Sequence, residues 1–575
     1  MIATAVASRP PTRWLSPQAP DESLVAQLAA ELSLPLPICR LLAARGHGAP
    51  DSARRFLRPR LDQLHEPAQL KDLDRAVERL ARAIAGHETI LVHGDYDVDG
   101  MCSTTLYVKA LRALGATAIP FIPRRLEDGY DLGAAGVRAA RENGASVVLT
   151  ADCGTSAHAA VSELQGAGID VIITDHHLPG GALPAAFAVL NPRRPDCPSE
   201  DKDLAAVGVA FKLALALTRH LGGNENAVFG MLDLVALATI ADIAPLRGEN
   251  RVFARYGLKL LAETRNLGLR ALIRSSGLDG KPLTAGRIGF ILAPRLNAVG
   301  RLGHALRGVE LLMAESENTA NAIARELEEL NARRQAVDRA TLEQARTMVQ
   351  SLDLEHTYGL VLAGEGWHAG VIGIVASRIV EEFGRPAVLV ALEGDTGKGS
   401  GRSISAFDLH AGLGACKDLL IRFGGHRAAA GVTVSRDQVA AFAQRFNEIA
   451  LEKLTADDLV PELRVDLEIG LEEVTEELEA MLRHLEPCGL GNPSPVLMAR
   501  NVMLHAPPKA VGKDGLRLAF HRDSRLPLTA LAWGMAPRAR ELTMDRHYDI
   551  AFRLERDEYR GASTLQARLA DFRPA

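Results

Sequence analysis

Residues 91 to 100 read Leu91-Val92-His93-Gly94-Asp95-Tyr96-Asp97-Val98-Asp99-Gly100, an apolar run that passes into a histidine, three alternating aspartates and a glycine. The residues from Thr89 to Val92 are β-branched or apolar, which favours a strand. Three carboxylates this close together repel one another and raise each other's pKa unless a divalent cation keeps them ionised. The stretch therefore predicts a metal site at the end of a strand.

The same aspartates match the first half of an EF-hand calcium loop, which has acidic ligands at alternate positions and glycine at the sixth. The second half does not match. The twelfth position, where a bidentate glutamate belongs, is Leu106, and a strand rather than a helix precedes the aspartates. We therefore expect a metal site of another kind.

Composition restricts the class of protein. A length of 575 residues predicts three or four domains, at roughly 100 to 200 residues each. The net charge of −5 offers no global attraction to nucleic acid, so local basic clusters and metals would have to hold any polyanion. The six cysteines show no C-x-x-C spacing, and no apolar run is long enough to span a membrane. These features predict a cytoplasmic protein without a membrane segment.

From Thr89 onward, short apolar runs alternate with segments of helical period. This alternation predicts an α/β fold with a parallel, doubly wound sheet, in which ligands collect at the carboxyl ends of the strands. The predicted strands are Thr89 to Val92, Thr117 to Ile122, Ser146 to Thr150 and Ile169 to Thr174.

Changes of pattern divide the rest of the chain. Residues 317 to 350 carry apolar residues at near-helical spacing with no Gly or Pro, which predicts a long connecting helix. Short strands after the Pro- and Gly-rich 487–495 segment predict a small β-barrel or sandwich. The expected segments are 1–85 (helical and extended), 86–316 (first α/β domain), 317–352 (connecting helix), 353–455 (second α/β domain) and 456–575 (β-barrel).

Polar clusters follow three of the predicted strands. The candidate metal-binding residues are His93, Asp95, Asp97, Asp99, Asp152, His176, His177 and Asp242. Oxygen-rich ligation with one or two histidines favours Mn²⁺ or Mg²⁺ over zinc, and a set of this size suits two ions. Asp152 alone could equally be a helix N-cap, but independent caps would not place carboxylates and histidines at three strand ends of one sheet. If the chain is extended at His176 and His177, one faces the metal and the other the substrate.

Four motifs in this order resemble those of the DHH phosphoesterase superfamily: His93 to Gly100, Asp152-Cys-Gly154, Asp175-His-His177 and Ala241-Asp242. Further motifs resemble one branch, the bacterial single-strand-specific exonucleases, over nearly the whole chain. They are Pro294 to Arg301, Gly366 to Gly373, Gly401-Arg402-Ser403, Gly424-Gly425-His426 and Pro487 to Pro493. The chain departs from the family pattern at Asp131, at Gly303-His304 and at Cys488.

The resemblance implies roles for the candidate residues. The implied metal ligands are His93, Asp95, Asp97, Asp152, His176 and Asp242, with Asp152 as the bridge and His177 facing the scissile phosphate. Asp99 is a further candidate ligand, and which of Asp95, Asp97 and Asp99 does not contact a metal stays open. Asp152 and His177 are the expected catalytic residues.

The resemblance also implies a DHH catalytic domain, a DHHA1 domain that carries the substrate strand, and a C-terminal OB-fold. The residues expected to contact DNA are Arg295, Asn297, Arg301, Trp367, His368, Ser400, Arg402, Ser403, Gly424, Gly425 and His426. Guanidinium groups and exposed backbone N–H groups bind phosphates without reading sequence. Trp367 could stack on a base or fill the core, and both alternatives stay open.

The implied function is a single-stranded-DNA-specific 5′-to-3′ exonuclease that uses two Mn²⁺ or Mg²⁺ ions, acting in DNA recombination and repair. A single-strand-binding protein and a RecQ-type helicase are the implied partners. Alternatives are an oligoribonuclease or cyclic-dinucleotide phosphodiesterase of the same superfamily, and a DNA-binding scaffold without catalysis. Digestion polarity and RNA-versus-DNA preference do not follow from the residues themselves.

Overall fold

The computed structural model describes residues 12–17, 19–522, 527–557 and 564–575. The strands are β1 (Arg13–Leu15), β2 (Thr89–Gly94), β3 (Thr117–Phe121), β4 (Ala145–Ala151), β5 (Asp170–Thr174), β6 (Ala188–Leu190), β7 (Leu360–Glu365), β8 (Ala387–Glu393), β9 (Thr396–Arg402), β10 (Arg422–Gly425), β11 (Ala429–Ser435), β12 (Glu462–Arg464), β13 (Leu467–Glu468), β14 (Leu497–Leu504), β15 (Lys509–Val511), β16 (Gly515–His521), β17 (Leu528–Ala532), β18 (His547–Asp557) and β19 (Thr564–Pro574).

The helices connect these strands and form most of the residues between β6 and β7. They are α1 (Glu22–Leu32), α2 (Leu36–Ala44), α3 (Pro50–Leu57), α4 (Leu73–Ala85), α5 (Val98–Ala113), α6 (Ala134–Glu142), α7 (His158–Gly166), α8 (Ala206–His220), α9 (Glu225–Phe229), α10 (Leu232–Ala241), α11 (Gly248–Ala262), α12 (Leu267–Ser275), α13 (Ala285–Arg287), α14 (Ala293–Leu302), α15 (Leu306–Leu312), α16 (Glu317–Gln350), α17 (Ile372–Phe383), α18 (Leu409–Gly414), α19 (Val439–Lys453) and α20 (Glu476–Leu482).

The described residues form two compact units. One is His65–Val460, and the other combines the described residues up to Leu64 with those from Pro461 onward. The division at Leu64 lies within the N-terminal segment 1–85. In the second unit, β1 pairs in parallel with β12.

The first sheet has the order β3-β2-β4-β5-β6, and every neighbouring pair is parallel. The predicted parallel sheet is thus confirmed, with strand ends within two residues of the expected positions. Leu91 and Val148 pack in one apolar cluster with residues of α6 and α7. The carboxyl ends of β2, β4 and β5 lie along one edge, where the polar motifs begin.

A helix of 34 residues, α16, runs from the first sheet's domain to the second. Ser316 is its N-cap, and the Ser316 hydroxyl accepts the N–H of Thr319. This helix confirms the predicted connector. The second sheet follows, with the order β10-β11-β9-β8-β7 and a single parallel pair, β7 with β8.

The C-terminal strands close into a barrel, the architecture that the OB-fold resemblance implied. β14 pairs with β18 on one side and with β16 on the other, so that β14, β18, β19, β17 and β16 form a ring without a free edge. The barrel interior shares one apolar cluster with α1 and α2. Among the described helices, none has the length and apolar character that crossing a membrane requires.

Candidate metal centre

The ends of β2, β4 and β5 bring the predicted ligands together. Among the described residues, three groups have candidate ligand atoms that all lie within 4.8 Å of one another. The groups are Asp95 with Asp97 and Asp152, Asp99 with His176 and Asp242, and Asp152 with His176 and His177. Asp152 belongs to two of the groups, so its carboxylate is close to Asp95 and Asp97 as well as to the two histidines.

The start of α5 positions the first two carboxylates. Asp97 caps this helix, and its Oδ1 accepts the N–H groups of Asp99 (2.9 Å) and Gly100 (3.1 Å). Gly100 is required here, because a Cβ would lie 2.3 Å from the carbonyl oxygen of Asp95. Burial, followed by the charge of Asp97, raises the pKa of Asp95.

Asp152 occupies a turn directly after β4 with a left-handed backbone (φ +69°). Its N–H bonds to the carbonyl of Thr174 on β5, at 3.1 Å. The side chain is 1% exposed, and burial, together with the charges of Asp99 and Asp97, raises its pKa. An acid this buried among other acids stays ionised only next to a cation.

His176 and His177 lie beside Asp152 in different environments. The Nε2 of His176 is buried, 3.3 Å from Asp152 Oδ1 and 3.7 Å from Asp242 Oδ2. Burial, aided by the charge of His177, lowers the pKa of His176 to about 3. The His177 side chain is 40% exposed and its Nδ1 is 3.9 Å from Asp152 Oδ1. β5 ends at Thr174, so both histidines lie in the segment that follows the strand, and both rings reach Asp152.

Asp175, which the sequence analysis did not assign, holds His177 in place. Its Oδ1 accepts the Nδ1–H of His177 at 2.7 Å, and its Oδ2 accepts the N–H of Thr155. Burial alone favours the neutral ring, but the hydrogen bond to Asp175 and its charge raise the pKa of His177 to about 9. Asp175 therefore favours the protonated ring of His177. In the sequence, the position of Asp175 directly before His176 and His177 was the feature that could have indicated this role.

Three buried atoms in the centre have no hydrogen-bond partner among the described residues. They are Asp95 Oδ1, Asp152 Oδ1 and His176 Nε2. Carboxylate oxygens and a neutral imidazole nitrogen are the donors that Mn²⁺ and Mg²⁺ sites use, and an unpaired buried polar atom is costly unless something binds it. The donor set therefore fits divalent cations.

Two predicted ligands have further contacts within the protein. His93 is in none of the three groups; its ring packs against Phe121 and its Nδ1 faces Cys153 Sγ at 3.5 Å, while its buried Nε2 has no hydrogen-bond partner among the described residues. Burial lowers the pKa of His93 to about 4. The oxygens of Asp99 accept the N–H groups of Ala206 (2.9 Å) and Val207 (2.8 Å), so this carboxylate already holds the start of α8.

Three arginines lie together near Tyr96. Burial lowers the pKa of both Arg301 and Arg402, and the positive charge of Arg125 lowers both further. The pKa of Arg301 falls to about 10. Gly300 permits the approach of α14, because a Cβ there would lie 2.2 Å from the carbonyl oxygen of Tyr96. None of the three has a carboxylate partner among the described residues. Arg125, which the sequence analysis missed, follows the end of β3 at the same sheet edge.

Other predicted DNA-contacting residues have partners within the protein. Arg295 bonds to both oxygens of Glu328, and Ser403 donates to the carbonyl of Phe407. His368 Nδ1 accepts the N–H of Gly370, and Ser400 Oγ accepts from Arg402. Asn297 is half-buried. Gly424, Gly425 and His426 are exposed around the end of β10.

The prediction that Trp367 contacts DNA is wrong. The side chain is 7% exposed, belongs to the core cluster that contains Leu362 and Ile372, and donates its Nε1–H to Gln344 at 2.6 Å. No open ring face is left for a base. Of the two alternatives, the structure supports core packing.

A Trp367→Ala variant should lose about 3 to 5 kcal/mol of unfolding free energy, because a large buried ring leaves a cavity. Urea unfolding measures this loss, and Trp367→Phe, which keeps an aromatic ring, should lose less. Unchanged stability together with weaker single-strand binding would contradict the core assignment.

The sequence matches three family models. They are the DHH family N-terminal domain at residues 89–239, the DHHA1 domain at residues 356–452 and the RecJ OB domain at residues 465–571. The modules lie in the order that the resemblance implied.

Two similar bacterial proteins are both named single-stranded-DNA-specific exonuclease RecJ. A single-stranded-DNA-specific exonuclease RecJ from Bacillus subtilis is 40% identical over 89% of this chain, which spans 64% of that relative. The RecJ of Dickeya dadantii is 37% identical, over 93% of this chain and 95% of the relative.

The crystal structure of Thermus thermophilus RecJ in complex with Mn²⁺ matches with a TM-score of 0.84 and 32% identity, covering 98% of this chain and 79% of that one. Its Mg²⁺ complex matches with a TM-score of 0.79 and 30% identity, over 98% of this chain and 78% of that one. Family models, relatives of nearly equal length and a solved structure agree: the chain belongs to the RecJ family of the DHH superfamily.

Proposed function

We propose that this protein is a metal-dependent exonuclease that degrades single-stranded DNA from the 5′ end, in recombination and repair. The observation that carries the proposal is the cluster of unpartnered buried donor atoms, Asp95 Oδ1, Asp152 Oδ1 and His176 Nε2, at the carboxyl edge of the first sheet. RecJ relatives are named single-stranded-DNA-specific exonucleases, which supports the substrate.

The residues that would hold two divalent ions are Asp95, Asp97, Asp152, His176 and Asp242. Asp152, which belongs to two of the ligand groups, is the natural bridge. Asp99 shares a ligand group with His176 and Asp242 as well as holding the start of α8, so it stays a candidate ligand. His93 also stays a candidate, because its buried Nε2 has no hydrogen-bond partner among the described residues. Divalent ions in such a site supply a nucleophile at neutral pH and stabilise charge on the phosphoryl oxygens.

His177 lies at the open side of the centre, where its charged ring would face the scissile phosphate. Asp175 keeps the ring oriented and protonated through the 2.7 Å hydrogen bond. A cation fixed in this way stabilises negative charge that develops during hydrolysis without reorganising. Tyr130, whose hydroxyl lies 3.3 Å from both ring nitrogens, limits the movement of His177.

The arginines Arg125, Arg301 and Arg402 would hold a phosphate of the strand next to the centre. Three guanidinium groups without carboxylate partners repel one another, and a phosphate relieves that repulsion. The guanidinium of Arg125 lies 4.6 Å from the Tyr96 ring centroid, which fixes its position beside the aspartates. Contacts of this kind position a strand without reading its sequence.

An Arg125→Gln variant should raise KM for single strands about tenfold, because one charged phosphate contact is lost, with a smaller effect on kcat. Steady-state digestion of a labelled oligonucleotide measures both constants. Arg124→Gln is the matched control, since Arg124 pairs with Glu127 on the surface. Equal KM values for both variants would remove Arg125 from the strand contact.

Digestion of end-labelled single strands with Mn²⁺ or Mg²⁺ tests the function. We expect stepwise loss from the 5′ end, no loss with EDTA, and little digestion of a matched duplex. Progressive loss from the 3′ end would refute the polarity, and no loss at all would favour a DNA-binding scaffold.

The small-substrate alternatives predict rapid cleavage of dinucleotides. The RecJ OB domain at residues 465–571 favours long strands instead, and comparing a dinucleotide with a long oligonucleotide separates the two. A single-strand-binding protein and a RecQ-type helicase as partners, and a cytoplasmic location, stay predictions from the resemblance.

A further inference from the structure

Asp131 lies in the loop between β3 and α6 with an unusual backbone. Its φ is +77°, in the left-handed region that L-residues other than Asn and Asp rarely adopt. The same Oδ1 accepts the N–H of Leu132 at 2.8 Å and the N–H of Gly154 at 2.6 Å. A strained residue persists only where its surroundings hold it in place, and such residues concentrate at functional sites.

Gly154 belongs to the turn that carries Asp152. Within this turn, Asp152 N–H bonds to Thr174 on β5 and the Cys153 carbonyl accepts from Thr150 on β4. The Gly154 N–H is buried and bonds to Asp131, so the loop before α6 also holds the turn, in addition to the contact of Cys153 Sγ with His93 on β2. Gly154 has a φ of +110°, and a Cβ at this position would lie 3.1 Å from Ile173 Cγ2, so the turn depends on glycine here.

The residue before Asp131 contacts the other side of the centre. Tyr130 packs edge-on against His177 with ring centroids 5.8 Å apart, in addition to its hydroxyl contact with that ring. The loop is held at its start as well, where Asp128 Oδ2 accepts the N–H of Arg124 at 2.8 Å. Hydrogen bonds at Asp128 and Asp131 therefore hold both ends of the loop from Asp128 to Leu132, and Tyr130 in this loop contacts His177.

We propose that Asp131 is a positioning residue for the hydrolytic centre. Its carboxylate bonds to backbone N–H groups and not to the donor atoms, and it acts through Gly154 on the turn of Asp152 and through Tyr130 on His177. If the Gly154 N–H loses this partner, the turn loses one of its bonds, and the carboxylate of Asp152 is held less firmly in the two ligand groups that it shares. The inference rests on the proposed role of Asp152 in holding metal.

Three substitutions separate positioning from stability. Asp131→Asn keeps an oxygen acceptor on a residue that tolerates the left-handed region, so Mn²⁺ affinity and kcat should stay near wild type. Asp131→Ala loses the acceptor and strains the backbone. Asp131→Gly also loses the acceptor but adopts φ +77° freely, so its thermal stability should exceed that of the alanine variant.

Mn²⁺ titration and steady-state kinetics of the full chain provide the test. For both Asp131→Ala and Asp131→Gly we expect Mn²⁺ affinity to fall about tenfold or more, with a matching loss in kcat, as for other residues that orient metal ligands. Wild-type affinity in Asp131→Gly would overturn the inference while leaving the proposed centre intact. A wild-type chain that neither binds Mn²⁺ nor hydrolyses DNA with it would overturn both.

Discussion

An Asp152→Asn variant should lose hydrolysis of single-stranded DNA by at least ~10³-fold. The amide keeps the size of the side chain but removes the charge between the two ligand groups, so both ions lose a shared ligand. Stabilisation of several kcal/mol by the ions then disappears, and each 1.4 kcal/mol corresponds to a factor of ten in rate. Digestion at saturating Mn²⁺, with Mn²⁺ binding followed by calorimetry, measures both effects.

Asp279→Asn is the matched control for this variant, because Asp279 is exposed on a loop after α12. It should retain wild-type rates and metal affinity. The Asp152→Asn protein should remain folded, and the removal of a buried acid with a raised pKa favours its stability without metal. If Asp152→Asn cleaves DNA at a rate near wild type, the proposed centre is wrong.

A His177→Gln variant should lower kcat by about 10²- to 10³-fold, the range seen when one group that stabilises developing negative charge is removed. Mn²⁺ affinity should change little, because the ring is partly exposed and its Nδ1 is engaged with Asp175. Single-turnover digestion and a parallel Mn²⁺ titration distinguish the two quantities. His158→Gln, at an exposed position beginning α7, provides the control.

The histidine experiment also decides between two geometries. A fall in Mn²⁺ affinity that matches the fall in kcat would make His177 a metal ligand together with Asp152 and His176. Loss of kcat with intact metal binding supports its role toward the phosphate. The two neighbouring histidines would then have different tasks, which their different burial already suggests.

Local patterns in the sequence were sufficient for the architecture. Strands of a parallel sheet are buried on both faces, so their consecutive residues are apolar, as in Ile90 to Val92. Such a run can be recognised in the sequence. The helix Glu317–Gln350 and the barrel strands were likewise visible, because helical period and alternation are short-range properties. The carboxyl-edge rule then placed Asp95, Asp152 and His176 together.

Residue spacing could not show which way each side chain faces. Trp367 was expected to contact DNA and fills the core instead. The aspartates Asp97 and Asp99 are two residues apart, yet one caps its own helix and the other holds the start of α8. Such differences depend on which element packs alongside.

The sequence by itself determined the parallel sheet, the connecting helix, the barrel and the gathering of acids and histidines at one edge, since these follow from local period and chain order. Only the tertiary structure brought Arg125 beside Arg301 and Arg402, and Asp131 to the N–H of Gly154. Those contacts join residues far apart in the chain. Packing determines these contacts, because a hydrogen bond or a charge pair between distant residues depends on how the helices and strands that carry them are placed.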